Sequence, residues 1–548
     1  MGGSAGEHNV VGFLVINAKS HPDRAALRWE TGGAELAGEK GHGGIQGGLT
    51  FAELSGESAR LATGLRDAGV LRGDRVLIHL PMAPDLYLSM FAVLRIGAVA
   101  VFLDPWSGIR HVSECVCRTR PLALITVPEA HGLISEAGGL EAVHLKIVAG
   151  EGTVPSAVAL HSLFRAPREV IMESVRPDMP ALITFTTGSS GSPKGAVRSH
   201  GVLAAQHRAL ERCIPYRDDD VSLSTFPIFS LNSLAAGVTT VLPAIDLARP
   251  SAEDAGTLAH QLISGRITRC MLPPRLLSEV SAYCSDNRVD LASLRRVVTG
   301  GAPVSGEVVR LARAAAPEAV VVALYGSTEA EPIALIEGEE LLRDEKPEAG
   351  VNVGRIVENL EARLIRIHRG PIELDRRGWA RWEASEGEVG ELVVSGAHVC
   401  QEYYDDPEAF REAKVLGADG RIWHRTGDLG RLDAEGRLWI VGRVHNAILR
   451  GGKYLFPVGP EMMLKSLQFV SQGAYVGIED RDLGERACVA VTLKRPSDRD
   501  EEGYPLAIRA LLSERGIPVD EVRIVDSIPM DPRHRSKVDY SKLREMLK

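Results

Sequence analysis

The chain of 548 residues contains no long uninterrupted apolar run. Its nearest approach, LSMFAVLRIGAVAVFL, carries Arg95 in the middle and reads as a helix followed by a buried strand, so stable membrane insertion is not expected. The start, MGGSAGEHNVVGFLVINAKSHPDR, lacks a basic segment ahead of a long apolar one, which argues against a secretory signal. Excess positive charge is missing too: a formal net charge of −9 argues against a general binder of nucleic acid or anionic membrane. Cysteine is scarce. Seven residues, scattered and odd in number, do not make a disulfide framework, and a reducing cytoplasm is the expected location. Cys115 and Cys117 form a CxC pair with no second Cys or His cluster near them, which speaks against a metal site there.

What is present suits a globular enzyme-sized chain. Hydrophobic content of 45% and charged content of 25% are ordinary, and the length calls for two or more domains. TFAELSGESARLATGLRDAGV from Thr50 reads as an amphipathic helix with Gly69 as its stop, and DRVLIHLP as a buried strand. LYLSMFAVLRIG is helical again, and AVAVFLDP is a strand ended by Pro105. The rhythm recurs at ALITVP and HLKIVAG, and at SLRRVVTGG and AVVVALYG. It predicts an α/β fold of helix-covered, mostly parallel sheets. Residues 32–48 are Gly-rich and aperiodic, and read as a mobile loop. From about residue 387 the texture turns to short Gly-punctuated β segments, a small β-rich part. The last hundred or so residues carry their own helices and strands. We therefore expect an N-terminal domain over 1–441 and a small, mobile α+β domain over 442–548.

One stretch stands out, Phe185–Gly195, FTTGSSGSPKG, crowded with glycines and hydroxyl side chains beside a single lysine. A flexible linker is the plain alternative. Linkers, however, do not usually sit between a buried strand (ALIT) and a helical pattern (VRSHGVLAAQHRALE). A strand–glycine loop–helix arrangement offers backbone N–H groups and hydroxyls to anionic oxygen, with Lys194 as a point charge, and so predicts a phosphate loop. The GxxGxxK spacing, with Gly195 after the lysine, is not Walker A, and no GxGxxG fingerprint is present.

Four further phrases follow in order: GGAPV at 300–304, LYGSTEAEP at 324–332, RTGDLG at 425–430 and the lysine of HRSKVDY. Together with FTTGSSGSPKG, and from about residue 20 to the end, they closely resemble the signature motifs of the adenylate-forming superfamily of acyl-CoA synthetases, adenylation domains and luciferases. The resemblance implies a ligase that joins a small-molecule carboxylic acid to ATP, expels pyrophosphate and leaves an acyl-AMP, with Mg²⁺ as cofactor and coenzyme A or another thiol as acceptor. It also implies roles. Thr186, Thr187, Gly188, Ser189, Ser190 and Gly191 with Lys194 would hold the β- and γ-phosphates. Tyr325 would stack on adenine, Thr328 would touch the α-phosphate, and Glu329 would coordinate Mg²⁺, a hard cation that prefers oxygen. Gly301, Ala302 and Pro303 would border the adenine and acyl pockets. Asp428 would bind both ribose hydroxyls, and Arg443 would reach the same ribose or its phosphates. Lys537 would enter with the small domain and offset negative charge as the carboxylate attacks.

Departures from the family pattern concern the second half-reaction. The acidic hinge phrase becomes GRVHNAIL, with His445 at the hinge position, or else as an ordinary surface histidine, and Leu449 in place of lysine. The basic residue after Gly452 becomes Tyr454, and the closing Glu–Ile–Glu becomes Gly459, Pro460, Glu461. PMDPRHRSK, with YGSTEAEP and WHRTGDLGRLDAEGRLWIVGR, resembles the branch containing olefin β-lactone synthetases, which activate a β-hydroxy acid and close a lactone. In TFPIFSLNSLAAG no Asp is present to pair an α-amino group, and Phe226, Phe229 and Leu231 suggest apolar walls. Ser230 stands where the family often has His. Phe229, Ser230, Gly300 and Gly326 are the candidates to line a pocket for a hydrophobic acid, fatty or polycyclic. The reading from another class is a catalytically inactive nucleotide-binding homologue, which would have lost one of Lys194, Glu329, Asp428 or Lys537; all four are present.

Overall fold

The computed structural model describes residues 8–30, 47–103, 107–136, 140–150, 152, 154–166, 171–187, 193–494, 503–530 and 538–548. Among these residues lie three sheets, of 14, 8 and 5 strands. The first helix of the strand–helix rhythm, Phe51–Asp67, starts where its local chemistry dictates. The Thr50 hydroxyl accepts the Glu53 N–H at 3.2 Å, and the Glu53 carboxylate accepts the Thr50 N–H at 2.8 Å. Gly69, with φ of 100°, turns the chain away from it. This helix packs on Pro84–Arg95, and both bury their apolar faces on the eight-stranded sheet. Arg95 is fully buried and only partly partnered, its Nη1 meeting no acceptor among the described residues. Its Nε donates to Ser58 Oγ at 3.0 Å and its Nη2 to Ser55 Oγ at 2.7 Å.

The eight-stranded sheet has a parallel centre of Pro180–Thr187, Val99–Phe102, Arg75–His79, Ala123–Thr126 and Leu145–Val148. The large sheet contains a second parallel run, Thr239–Val241, Val221–Ser224, Arg269–Leu272, Arg296–Gly300 and Val320–Tyr325. The β-rich part is not a separate layer. Residues 326–333 reverse the chain, so Ala334–Glu337 pairs antiparallel with Val320–Tyr325. The pairing then continues through Val351–Ile356, Leu438–Arg443, Ile422–Leu432 and Gly390–Ser395.

Within the Gly-rich stretch, Gly47–Thr50 is a strand paired with Ala25–Trp29, rather than loop. Gly47 lies against the Trp29 ring where a Cβ would not fit, which explains a glycine in a strand. Residues 31–46 fall outside the described residues. The strands Ile448–Arg450, Lys453–Leu455, Val470–Asp480, Gly484–Leu493 and Glu521–Ile524 form the five-stranded sheet. Its two faces bury Tyr475, Val489 and Ile508 on one side, and Ala474, Leu543 and Leu547 on the other. Arg515 pairs with Glu348 at 3.3 Å across to the preceding part. Among the described residues no helix is long and apolar enough to cross a membrane.

Candidate active site

The carboxyl ends of the second parallel run converge, as they do where ligands bind in open α/β sheets. Strand pairing sets Gly300 opposite Leu324 and Thr299 opposite Ala323, which places GGAPV beside LYGSTEAEP. Gly300 must be glycine, because a Cβ would collide with the Leu324 carbonyl oxygen. Gly301 has φ of 79° and faces the Phe226 ring, where the chain leaves Val221–Ser224 for the helix Pro227–Ala235. Ala302 and Pro303 follow in the exposed rim, and Gly326 packs so closely on Ala330 and Glu331 that a side chain would be crowded.

Three of the expected residues meet directly. Asp428 and Arg443 are register partners on Ile422–Leu432 and Leu438–Arg443. Arg443 Nε lies 2.9 Å from Asp428 Oδ1, and its Nη2 donates to the Thr426 carbonyl at 3.2 Å. On the other side the Tyr325 hydroxyl donates to Asp428 Oδ2 at 2.6 Å. Burial and then the Asp428 charge push the Tyr325 hydroxyl well above its ordinary value, so it remains a donor. Asp428 in turn raises the Arg443 guanidinium.

Glu329 sits beyond, in company the sequence reading missed. The Tyr403 hydroxyl donates to its Oε1 at 2.9 Å, and the Cys400 N–H to its backbone oxygen at 2.7 Å. Burial works against ionisation here, yet His424, Lys414 and the Tyr403 hydroxyl hold the carboxyl below its usual range. Lys414 is buried, donates to the Cys400 carbonyl, and is lowered by that burial to about 8, still a cation at neutral pH. Burial and Lys414 lower His424 to about 3, and its Nδ1–H donates to the Ala413 carbonyl at 3.2 Å. Thr328 is anchored through its carbonyl, which accepts Arg198 Nη2 at 2.8 Å and Nε at 3.2 Å. No short sequence signal marks Tyr403, Lys414 or His424, because the antiparallel strands bring them from 74 or more residues away. Glu331 is the exception: an extra acid inside a recognised phrase, raised by burial, against the pull of Arg198, to about 7.

The expected loop differs in its frame. Pro193–Ser199 is a strand antiparallel to Pro180–Thr187, with Lys194 opposite Thr186, and the helix begins only at His200. The two strands therefore form a hairpin, not a strand-to-helix unit, because Pro193–Ser199 pairs back along the preceding strand before the helix begins. Lys194 lies 3.2 Å from Glu412 on the helix Pro407–Ala413. Gly188, Ser189, Ser190 and Gly191, the side chains of Thr186 and Thr187, and Lys537 lie outside the described residues.

Of the acyl-pocket candidates, Leu231 lines a pocket with Phe13, Met90, Phe91, Leu203 and Ile228. Its walls are apolar apart from Gln206, His207 and Asn232. Phe229 lines a different, smaller pocket beside Met271 and Val298. Ser230 is fully buried beside Tyr87 and lines neither cavity. His445 is exposed, and its carbonyl accepts Arg544 Nη2 at 3.1 Å.

Residues 14–404 match the model of the family described as AMP-binding enzyme, and the chain belongs to that family. It is an adenylate-forming ligase by that membership and by its relatives. An olefin beta-lactone synthetase of Stenotrophomonas maltophilia is 30% identical over 98% of this chain and 97% of its own length. A feruloyl-CoA synthase of an Amycolatopsis species is 29% identical over 89% of this chain and 92% of its own. In fold, the chain is similar to an amide bond synthetase from Marinactinospora thermotolerans, with a TM-score of 0.79, 24% identity and coverage of 98% and 99% of the two chains.

Proposed function

We propose that the chain activates a hydrophobic carboxylic acid with ATP in the site around Tyr325, Asp428 and Glu329, and that the acyl-AMP passes to an acceptor other than coenzyme A. A carboxylate oxygen of the acid attacks the α-phosphorus, a P–O bond forms, and the P–O bond to pyrophosphate breaks. The observation that carries the reading is the Tyr325–Asp428–Arg443 cluster, set beside an ionised Glu329 at the carboxyl ends of parallel strands. Asp428 offers the ribose a carboxylate already held in place from both sides, and Tyr325 stands over the adenine position. Lys194 and the hydroxyl-rich loop after Phe185 take the outer phosphates, and Lys537 the charge developing on attack.

Among the described residues no group of three or more His, Cys, Asp or Glu could hold a metal unaided. One ionised carboxylate nevertheless fits Mg²⁺, which usually binds through one or two carboxylates plus substrate phosphates. Glu329 would hold it, and the ion would offset phosphate charge. The remaining residues bind, orient and exclude water.

Residues 1–441 and 442–548 act, in this reading, as separate units that move between half-reactions. The segment 443–461 favours a changed acceptor. Leu449 and Tyr454 face each other across a hairpin, 38% and 36% exposed, where a basic pair is expected for a thiol substrate's phosphates. Gly459 packs on the Glu348 carbonyl, where a Cβ would approach to 2.6 Å, so a Glu there would not fit. A hydroxyl on the acid itself is the acceptor that similarity to the olefin beta-lactone synthetase favours. In that step the hydroxyl oxygen bonds to the acyl carbon, the bond from that carbon to the phosphate oxygen breaks, and AMP and the hydroxyl proton leave. Mass spectrometry of products from ATP and a panel of apolar acids, with and without coenzyme A, tests this. Acyl-AMP or lactone without thioester is expected; acyl-CoA formed at the rate of pyrophosphate release overturns the acceptor assignment.

A further inference from the structure

We propose that Lys414 is a positioning residue of this site, which holds the segment Cys400–Tyr403 in place and sets Glu329 as an ionised carboxylate before any nucleotide enters; this rests on the adenylation reading above. A lysine in these surroundings needs a reason. Lys414 is 3% exposed and makes no direct ion pair among the described residues. A buried cation without such a partner costs free energy. What it touches points to Glu329. Its Nζ donates to the Cys400 carbonyl and lies 5.2 Å from the centroid of the Tyr403 ring. The Cys400 N–H donates to the Glu329 carbonyl at 2.7 Å, and the Tyr403 hydroxyl donates to Glu329 Oε1 at 2.9 Å. One ammonium thus engages both residues through which the segment grips Glu329, by its backbone and by its side chain.

The neighbouring cations are committed elsewhere. Arg198 spends its guanidinium on the Thr328 carbonyl, and Arg443 pairs with Asp428 at 2.9 Å. His424, the register partner of Lys414, is neutral at ordinary pH, since burial lowers its imidazole to about 3. Lys414 is therefore the standing positive charge behind Tyr403, and in a low-dielectric interior such a charge acts over several ångströms. The same segment reaches the other sheet. Tyr403 pairs with Ala196, and the Tyr404 N–H donates to the Gly195 carbonyl at 2.7 Å, next to Lys194. Glu412, two residues before Lys414, lies 3.2 Å from Lys194. The stretch from Cys400 to Lys414 thereby ties together Lys194 and Glu329, the two charged groups assigned above to phosphate and cation.

The test is a double-mutant cycle in the full-length protein with Glu329→Gln and Lys414→Met, the latter keeping an unbranched side chain without the charge. Thermal unfolding without Mg²⁺ or nucleotide is one readout, and ATP–pyrophosphate exchange with a panel of apolar acids is the other. Lys414→Met alone should lower the melting temperature, because it strands the Glu329 charge, and adding Glu329→Gln should raise it again. In exchange, the two changes together should cost about tenfold less than the product of their separate losses, the scale of coupling between neighbouring groups. A residue that merely fills space gives additive losses and no recovery, and additive losses in either readout overturn the proposal. If Lys414→Met does not fold, a folded double variant supports it. Failure of both to fold overturns it, because removing the two charges together should leave the fold intact. Exchange by the wild type with none of the acids overturns the adenylation reading, and this proposal with it; exchange with additive losses overturns this proposal alone.

Discussion

The Tyr325 hydroxyl and the Asp428 carboxylate meet at 2.6 Å although 103 residues of chain separate them. The contact joins the end of a parallel strand to the antiparallel extension of the same sheet. It leaves Asp428 held by Tyr325 on one oxygen and by Arg443 on the other.

If this pair positions the nucleoside, Tyr325→Phe removes one hydrogen bond to a charged group, worth roughly 1.5–3 kcal/mol. The KM for ATP in ATP–pyrophosphate exchange should rise about tenfold, with a smaller change in kcat. Asp428→Asn, which also unpairs Arg443, should cost on the order of 10²-fold in kcat/KM. An unchanged ATP KM in both variants would remove these residues from the nucleoside site.

Glu329 and Lys537 are expected to act through charge, one before and one during the displacement. Lys537→Ala should lower exchange on the order of 10²-fold while leaving the KM for ATP nearly unchanged, since the contact is made in the transition state. Glu329→Gln should lose a comparable factor and shift the Mg²⁺ concentration needed for half-maximal rate upward. Exchange near wild type in either variant sinks that residue's assignment.

Acid should unfold the protein before neutral pH does any harm. Burial lowers the imidazoles of His200 to about 4 and His424 to about 3, from 6.5 when exposed. The unfolded chain therefore binds the extra protons first. Stability from these groups is complete above pH 6.5 and falls as pH drops towards 4. His200 is fully buried, with Nδ1 accepting the Val10 N–H at 3.2 Å. Calorimetry of His200→Gln between about pH 6 and 4 should show a slope reduced by up to about 1.4 kcal/mol per pH unit. An unchanged slope would mean that His200 protonates in the folded state at its ordinary value.

The parts of the fold written in local chemistry were legible. Thr50 and Glu53 cap their helix within four residues, Gly69 ends it, and the β/α alternation predicts parallel sheets under helices. The candidate site was legible for a different reason: its glycines, Tyr325, Glu329 and Asp428 sit in contiguous phrases that resemble family motifs. The loop after Phe185 was read with the wrong partner. VRSH follows a helical pattern in sequence, but pairing with Pro180–Thr187, a long-range choice, makes Pro193–Ser199 a strand. Phe229 and Ser230 were read as pocket walls because they follow a known phrase, yet a helix presents successive residues to different neighbours.

By itself, then, the amino-acid sequence determined the class of elements, their order and the phrases that mark the candidate site, since capping, turn residues and apolar periodicity act over a few residues. Tertiary structure alone decided which charges surround those phrases. Tyr403, Lys414 and His424 reach Glu329, and Gln206 reaches Glu331, only because sheet register and helix packing bring distant strands together. Ionisation depends on burial and on neighbours in space, and neither is a local property of the chain.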